Sequence, residues 1–300
     1  MVSVPGLSRI CFGCEPLGGT DWGQINVSDI ASAISRALEL GVNFFDTADV
    51  YGLGISEVRL SEILGAKRHD VVIATKGGLS WRDAASGQRA AISKDSSPKY
   101  LRVAVEASLR RLRLDCIPVY FIHWPDPNTE IKYTFEYLSK LRDEGKIGHV
   151  GCSNFSAAQV RAACEVSDIS LVQLPLNLLG DDPDLEMAEL VKEKAIGVVA
   201  YNVLANGLLT GKYDENSQFE QNDRRCRLPL FQGKKYRETL RQVADISIMA
   251  AAENLTCAQY AISRVLRRPE VVSAILGVKN RGQIEENYSV MSGLFQPSTT

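Results

Sequence analysis

"NFFDTADVYG", residues 43–52, is a short apolar run that ends in a carboxylate. Phe44 and Phe45 lead into Asp46, and Tyr51 follows five residues later in a polar stretch. A run this short, closed by an acid and a turn, reads as a buried strand that delivers Asp46 to its own C-terminal end. The same pattern recurs along the chain. Strands are predicted at 10–13 (ICFG), 43–48 (NFFDTA), 71–76 (VVIATK) and 119–124 (VYFIHW), then at 149–154 (HVGCSN), 171–177 (LVQLPLN), 197–203 (GVVAYNV) and 274–278 (AILGV). Amphipathic stretches separate most of them. In 27–41, Ile30, Ala33, Ile34, Ala37 and Leu38 recur at helical spacing, with Ser28 as the expected N-cap and Gly41 as the stop. Ser97 before Pro98 is the cap and first-turn pair that opens a helix, and "EYLSKLRDEGKI" and "NLTCAQYAISRVLRR" carry the same periodicity.

Strand–helix units of this size, repeated eight times, predict an α/β fold: a closed parallel (β/α)8 TIM barrel, in a single domain over residues 1–300. An open doubly wound sheet competes, but no G-x-G-x-x-G opens a helix after the first strand. Residues 214–235, polar and charge-rich, read as a long loop between the seventh and eighth units.

Composition narrows the function classes. The chain has 300 residues, 45% hydrophobic and 23% charged, with mean hydropathy −0.08, which suits a soluble fold with a sizeable core. A net charge of −2 and a pI of about 6.0 give no reason to expect nucleic acid or an anionic membrane as partner. No apolar stretch reaches the roughly 18 residues of a membrane span, and the N-terminus lacks the pattern of a signal peptide. Seven scattered cysteines make no disulfide framework and point to a reducing, cytoplasmic compartment. Cys11 and Cys14 form a C-x-x-C, but a metal site wants a second close pair and the other five are isolated. "RICFGCEPLGG" reads instead as a first strand running into a glycine loop, and no metal is expected.

In a barrel of this kind, reacting groups come from the C-terminal ends of several strands. Those positions hold Asp46, Lys76, His123, Ser153, Asn154, Gln173 and Tyr201, with Tyr51 just past the second strand. Each alone has a structural alternative: a helix-capping Asp46, a rim Lys76, a locally satisfied His123. Together they converge on one place. A phenol has a pKa of about 10, and a neighbouring ammonium lowers it, so Lys76 beside Tyr51 is expected to make a better general acid. Asp46 would hold Lys76 through a charged hydrogen bond, and His123 would orient a substrate oxygen. Such a set protonates an oxygen that gains negative charge, as a carbonyl does on receiving hydride. A Schiff-base aldolase built on Lys76 competes for the same residues. It would need Lys76 free of a tight carboxylate, whereas hydride transfer needs amides such as Asn154 and Gln173 to hold a carboxamide and a ring such as Tyr201 to stack on it.

These stretches resemble the aldo-keto reductase family. The likeness runs from "CFGCEPLGGTDWG" through "GVNFFDTADVYG", "VVIATKGG", "VEASLRRLRLD", "YFIHWPDP", "EGKIGHVGCSNF", "LVQLPLNLL" and "AYNVLANGLLTGKY" to "AILGVKNRGQIEEN", in the family's order. The resemblance implies a (β/α)8 barrel that binds NADPH in an extended pose. It places the catalytic tetrad on Asp46, Tyr51, Lys76 and His123, the nicotinamide contacts on Ser153, Asn154 and Gln173, and the stacking ring on Tyr201. The pyrophosphate stretch falls on 202–212, with Asn202, Leu204 and Lys212. The adenosine-phosphate end falls on Gly277, Lys279, Asn280, Gln283, Glu286 and Asn287, where a helix opens. Lys279 and Arg281 add positive charge for a 2′-phosphate, so NADPH is expected over NADH. The sequence departs from the family's habit at Leu176, Asn202–Val203, Leu276 and "CIPVYF", none of them in the tetrad.

A small carbonyl compound, or the corresponding alcohol, is the expected partner. Trp22, Trp81 and Trp124 are the candidate substrate contacts, and Arg82 is a candidate for an anionic one. Some relatives instead serve as cofactor-binding, redox-sensing subunits of other proteins, which is the second expectation.

Overall fold

The computed structural model describes residue 4 and residues 6–81, 90–180 and 182–294. The chain begins its repeat with β1 (Ile10–Gly13), α1 (Val27–Glu39), β2 (Phe44–Asp46), α2 (Ile55–Leu64) and β3 (Val72–Gly77). A two-stranded antiparallel ribbon, β4 (Leu79–Trp81) and β5 (Ile92–Lys94), interrupts it. The repeat resumes with α3 (Pro98–Leu112), β6 (Ile117–Ile122), α4 (Ile131–Asp143), β7 (Ile147–Ser153), α5 (Ala157–Cys164), β8 (Ile169–Pro175), α6 (Leu185–Glu193) and β9 (Gly197–Tyr201). It ends with α7 (Gly233–Ala252), α8 (Cys257–Leu266), β10 (Val271–Gly277), α9 (Arg281–Ser289) and the short α10 (Met291–Leu294). Eight parallel strands close in the order β1-β10-β9-β8-β7-β6-β3-β2. This is the (β/α)8 barrel expected from the repeat.

Two layers of apolar packing follow from the alternation of a strand. One set of side chains, among them Phe12, Phe45, Ile73, Tyr120, Ile122, Val172 and Val198, faces the helices in the large outer core. The alternate set, Cys11, Phe44, Ala74, Val119, Phe121, Leu171 and Val199, fills the barrel itself. Counting two residues on from the interior positions reaches Asp46, Lys76, His123, Gln173 and Tyr201. The candidate site therefore lies on top of the packed interior because the period-2 pattern carries each polar residue inward.

Helix starts are chemically explicit. Ser97 accepts from the Tyr100 N–H with Pro98 in the first turn, as expected. In α1 the cap is Asn26, whose side chain accepts from the Ser28 N–H, two residues earlier than the serine predicted for that role. Asn wins because its carbonyl reaches the orphan N–H from the extended conformation that precedes the helix. The segment 214–235 is a loop up to Gln232, but it contains two 3-10 turns (Arg224–Arg227 and Pro229–Phe231), and α7 begins at Gly233. The β4–β5 ribbon falls between the strands predicted at 71–76 and 119–124, where none was expected, and Arg82 lies outside the described residues.

Candidate active site

Asp46 is the hub. Its Oδ2 accepts from Lys76 Nζ at 2.6 Å, and its Oδ1 accepts from Gln173 Nε2 at 2.6 Å. Lys76 Nζ also donates to the Thr47 carbonyl at 2.8 Å and reaches the Tyr51 hydroxyl at 3.5 Å, with its ammonium 5.0 Å from the Tyr51 ring centre. Asp46, Lys76 and Gln173 are all buried, so these charge-assisted bonds are little screened. Across the mouth, the His123 ring meets Tyr51 edge-on at 5.8 Å, with His123 Nδ1 buried and without a hydrogen-bond partner. The four side chains, brought in by the ends of three strands, thus share one site.

Their ionisation differs from expectation in one respect. Burial first, then the Glu15 and Asp46 carboxylates, push the Tyr51 phenol well above its usual 10. The lowering expected from Lys76 does not prevail, because Lys76 gives its shorter bonds to Asp46 and Thr47 and meets the phenol at the limit of hydrogen-bond range. Tyr51 is held as a protonated donor. Burial, helped by Lys76, drops His123 well below 6.5, so its imidazole is neutral around pH 7. A Schiff-base role would require an unencumbered Lys76, and the tight Asp46 pair opposes that.

The amide-bearing residues form a second network. Asn154, at φ +64°, donates from Nδ2 to the His123 carbonyl at 2.9 Å and to Ser153 Oγ at 3.1 Å. Its Oδ1 accepts from the Tyr201 hydroxyl at 2.7 Å, which fixes that ring at the end of β9. Asn202, also in the left-handed region, accepts from the Asn206 N–H at 3.0 Å, and Leu204 packs between two apolar clusters. At the far rim Asn280 caps α9 by accepting from Gln283 N–H at 3.0 Å, and Gln283 Oε1 accepts from the Lys279 N–H at 2.8 Å. Arg281 is exposed and paired with Glu285 at 3.0 Å, Glu286 is exposed, Asn287 is buried, and Gly277 ends β10.

The three tryptophans separate. Trp22 joins the rim around Lys279: its carbonyl accepts from Lys279 Nζ at 2.6 Å, and the Arg224 and Arg225 guanidiniums lie over its ring at 5.5 and 5.7 Å. Trp124 stands beside His123 with 41% of its surface exposed, and Trp81 ends β4 opposite Ile92.

Several participants were not singled out in the sequence. Glu15, just past β1, pairs with Arg224 at 2.7 Å and acts on Tyr51, and its place after a strand end was the available signal. Residues 15–24 and 220–228 are stapled together by the Glu15–Arg224 pair, by Asp21–Arg227 at 2.7 Å and by the Arg224 N–H to the Asp21 carbonyl at 2.9 Å. Arg225, bound to Asp223, lies close enough to Lys212 and Lys279 to help burial lower both from 10.5. Neither lysine has an ion-pair partner among the described residues. Two lysines without a direct ion pair, beside an arginine already bound to Asp223, suit an anionic ligand, and a phosphate-bearing dinucleotide fits that donor set. Cys11 and Cys14 are buried, and burial pushes their thiols well above 9.0.

A closed parallel barrel with an acid–lysine–tyrosine–histidine cluster over its packed interior defines an oxidoreductase of the TIM-barrel class. The family model described as "Aldo/keto reductase family" matches residues 9–298, and the chain belongs to that family. Among curated proteins it is 34% identical to aldo-keto reductase YhdN of Bacillus subtilis over 285 residues, covering 93% of this chain and 83% of that one. It is 29% identical over 298 residues to the Schizosaccharomyces pombe aldo-keto reductase yakc, whose name specifies NADP(+), covering 96% of this chain and 84% of that one. Among solved structures, the glycerol dehydrogenase AKR11B4 from Gluconobacter oxydans superposes with a TM-score of 0.85 at 34% identity, covering 98% of this chain and 88% of that one. The holo form of aldo-keto reductase AKR11C1 from Bacillus halodurans gives 0.77 at 25% identity, covering 99% and 90%. The protein is therefore an enzyme of the nicotinamide-dependent aldo-keto reductases.

Proposed function

We propose that the protein, with residues 1–300 working as one unit in the cytoplasm, reduces an aldehyde, ketone or sugar carbonyl to an alcohol with NADPH, using Tyr51 as general acid. The observation that carries this is the unbroken chain from Gln173 through Asp46 and Lys76 to the Tyr51 hydroxyl. A nicotinamide held there would supply the hydride for the carbonyl carbon. Tyr51 delivers its proton to the carbonyl oxygen as negative charge builds there. Lys76, held in place by Asp46, stabilises the phenolate that remains. Neutral His123 offers a donor to the same oxygen and fixes its direction. Ser153, Asn154 and Gln173 would hold the carboxamide, and Tyr201 would back the ring. Asn202, Leu204 and Lys212 would line the pyrophosphate. Gly277, Lys279, Asn280, Arg281, Gln283, Glu286 and Asn287 would take the adenosine phosphate, with Trp81 and Trp124 facing substrate and Trp22, held by Lys279, on the phosphate side rather than the substrate side.

Single-turnover oxidation of bound NADPH by 4-nitrobenzaldehyde tests the assignment. Tyr51→Phe should lower the rate by about 10²-fold or more while NADPH still binds. NADPH bound yet never oxidised would favour a redox-sensing subunit, and no NADPH binding would remove the cofactor assignment. The preference for NADPH rests on Lys279 and Arg281. Lys279→Ala should weaken NADPH about tenfold and NADH little, as read by fluorescence titration, since one lost charge-assisted contact is worth roughly 1.5 kcal/mol.

A further inference from the structure

One cluster of the described surface is not used by the tetrad or by the cofactor rim. Ile92 and Trp124, 51% and 41% exposed, line an open groove of about 340 Å³ with Leu79, Ser93 and Lys94. Two of its lining residues follow the reacting residues closely in the chain. Trp124 follows His123, whose N–H donates to the Gly77 carbonyl at 2.9 Å, and Leu79 lies three residues past Lys76. The Lys94 ammonium sits 5.2 Å from the Trp124 ring centre and has no carboxylate within ion-pair distance among the described residues. Exposed apolar side chains gathered beside a reactive centre, with one unmatched cation on their edge, describe a ligand that is flat and apolar in the middle and anionic at one end.

We infer that the groove selects carbonyl substrates that carry a carboxylate, with the apolar body on Trp124 and the anion at Lys94. This rests on the carbonyl-reductase reading above and adds the substrate class. The attraction is partly exposed, so the expected discrimination is modest and salt-sensitive.

The test uses the protein of residues 1–300 with NADPH and two aldehydes of nearly equal size, 4-carboxybenzaldehyde and methyl 4-formylbenzoate. At low ionic strength kcat/KM should favour the acid by about three- to fivefold, and 0.3 M salt should erase most of that ratio. Lys94→Gln should bring the ratio to about one, Lys94→Glu should invert it, and Lys94→Arg should retain it. A ratio near one in the wild type, or one that survives in Lys94→Gln, overturns the inference. Turnover of both aldehydes without preference rejects this inference alone. If neither aldehyde turns over, the carbonyl-reductase reading fails on its own, and the groove is read by binding. Tryptophan fluorescence titrated with benzoate and with benzamide should then show tighter benzoate in the wild type but not in Lys94→Gln. Equal constants in the two proteins would sink the proposal.

Discussion

Asp46 holds more of the site than its single charge suggests, because both of its oxygens are spent on buried donors, Lys76 and Gln173. Asp46→Asn keeps the shape and removes the countercharge, leaving Lys76 buried and unmatched. Breaking a buried pair in that way costs about 3–5 kcal/mol, which denaturant unfolding should register along with lost turnover. His123 gives a pH signature. Its folded pKa lies below 6.5, so under pH 6.5 the unfolded chain takes up a proton that the native site refuses. Stability from this group is full above pH 6.5 and falls away as pH drops toward the folded value. In His123→Asn the difference in unfolding free energy between pH 5 and pH 7.5 should shrink, and an unchanged difference would mean that the imidazole is not held neutral. The members of this network were legible because each sits at a strand end in a recognisable stretch. The strength of each influence on Tyr51 was not, since it depends on which carboxylates the loops bring close, and Glu15 arrives from a different strand.

At the scale of elements, the Tyr51 turn depends on a crossing of two glycines. A Cβ on Gly18 would lie 2.8 Å from the Gly52 nitrogen, and Gly52 has φ +59° with the Gly18 backbone directly against it. Gly52→Ala faces both a backbone clash and a left-handed conformation. The expected result is a protein that unfolds at lower denaturant and turns over more slowly, because the displaced turn carries Tyr51. Neither glycine announces its partner in sequence, since they lie 34 positions apart. The helices, by contrast, were readable from periodicity and caps, with the α1 cap misplaced by two residues. The β4–β5 ribbon was missed because "LSW" and "ISK" are too short to show alternation against a polar background.

For the molecule as a whole, closure divides the apolar side chains into an outer core and a small interior one. Phe121, in that interior, abuts Gly151 and lies two residues before His123. Phe121→Ala should cost about 3–5 kcal/mol and unsettle the histidine above it, a joint loss that unfolding and single-turnover measurements would separate. The eightfold repeat made the architecture legible from the sequence, because each unit is local. The staple between residues 15–24 and 220–228 was not, because its charges read as an ordinary solvated loop until the barrel brought the two segments together.

Closure also bears on self-association. A closed barrel has no free strand edge, so among the described residues unpaired backbone edges occur on the β4–β5 ribbon. Its strand β5 is exposed throughout and reads Ile-Ser-Lys. A lysine on an open edge discourages another chain from adding a strand there, since it would have to bury or crowd the ammonium. Lys94 would then guard the molecule against polymerising through the same ribbon that borders its groove. Concentration-dependent light scattering of Lys94→Ile should reveal growing assemblies where the wild type shows none.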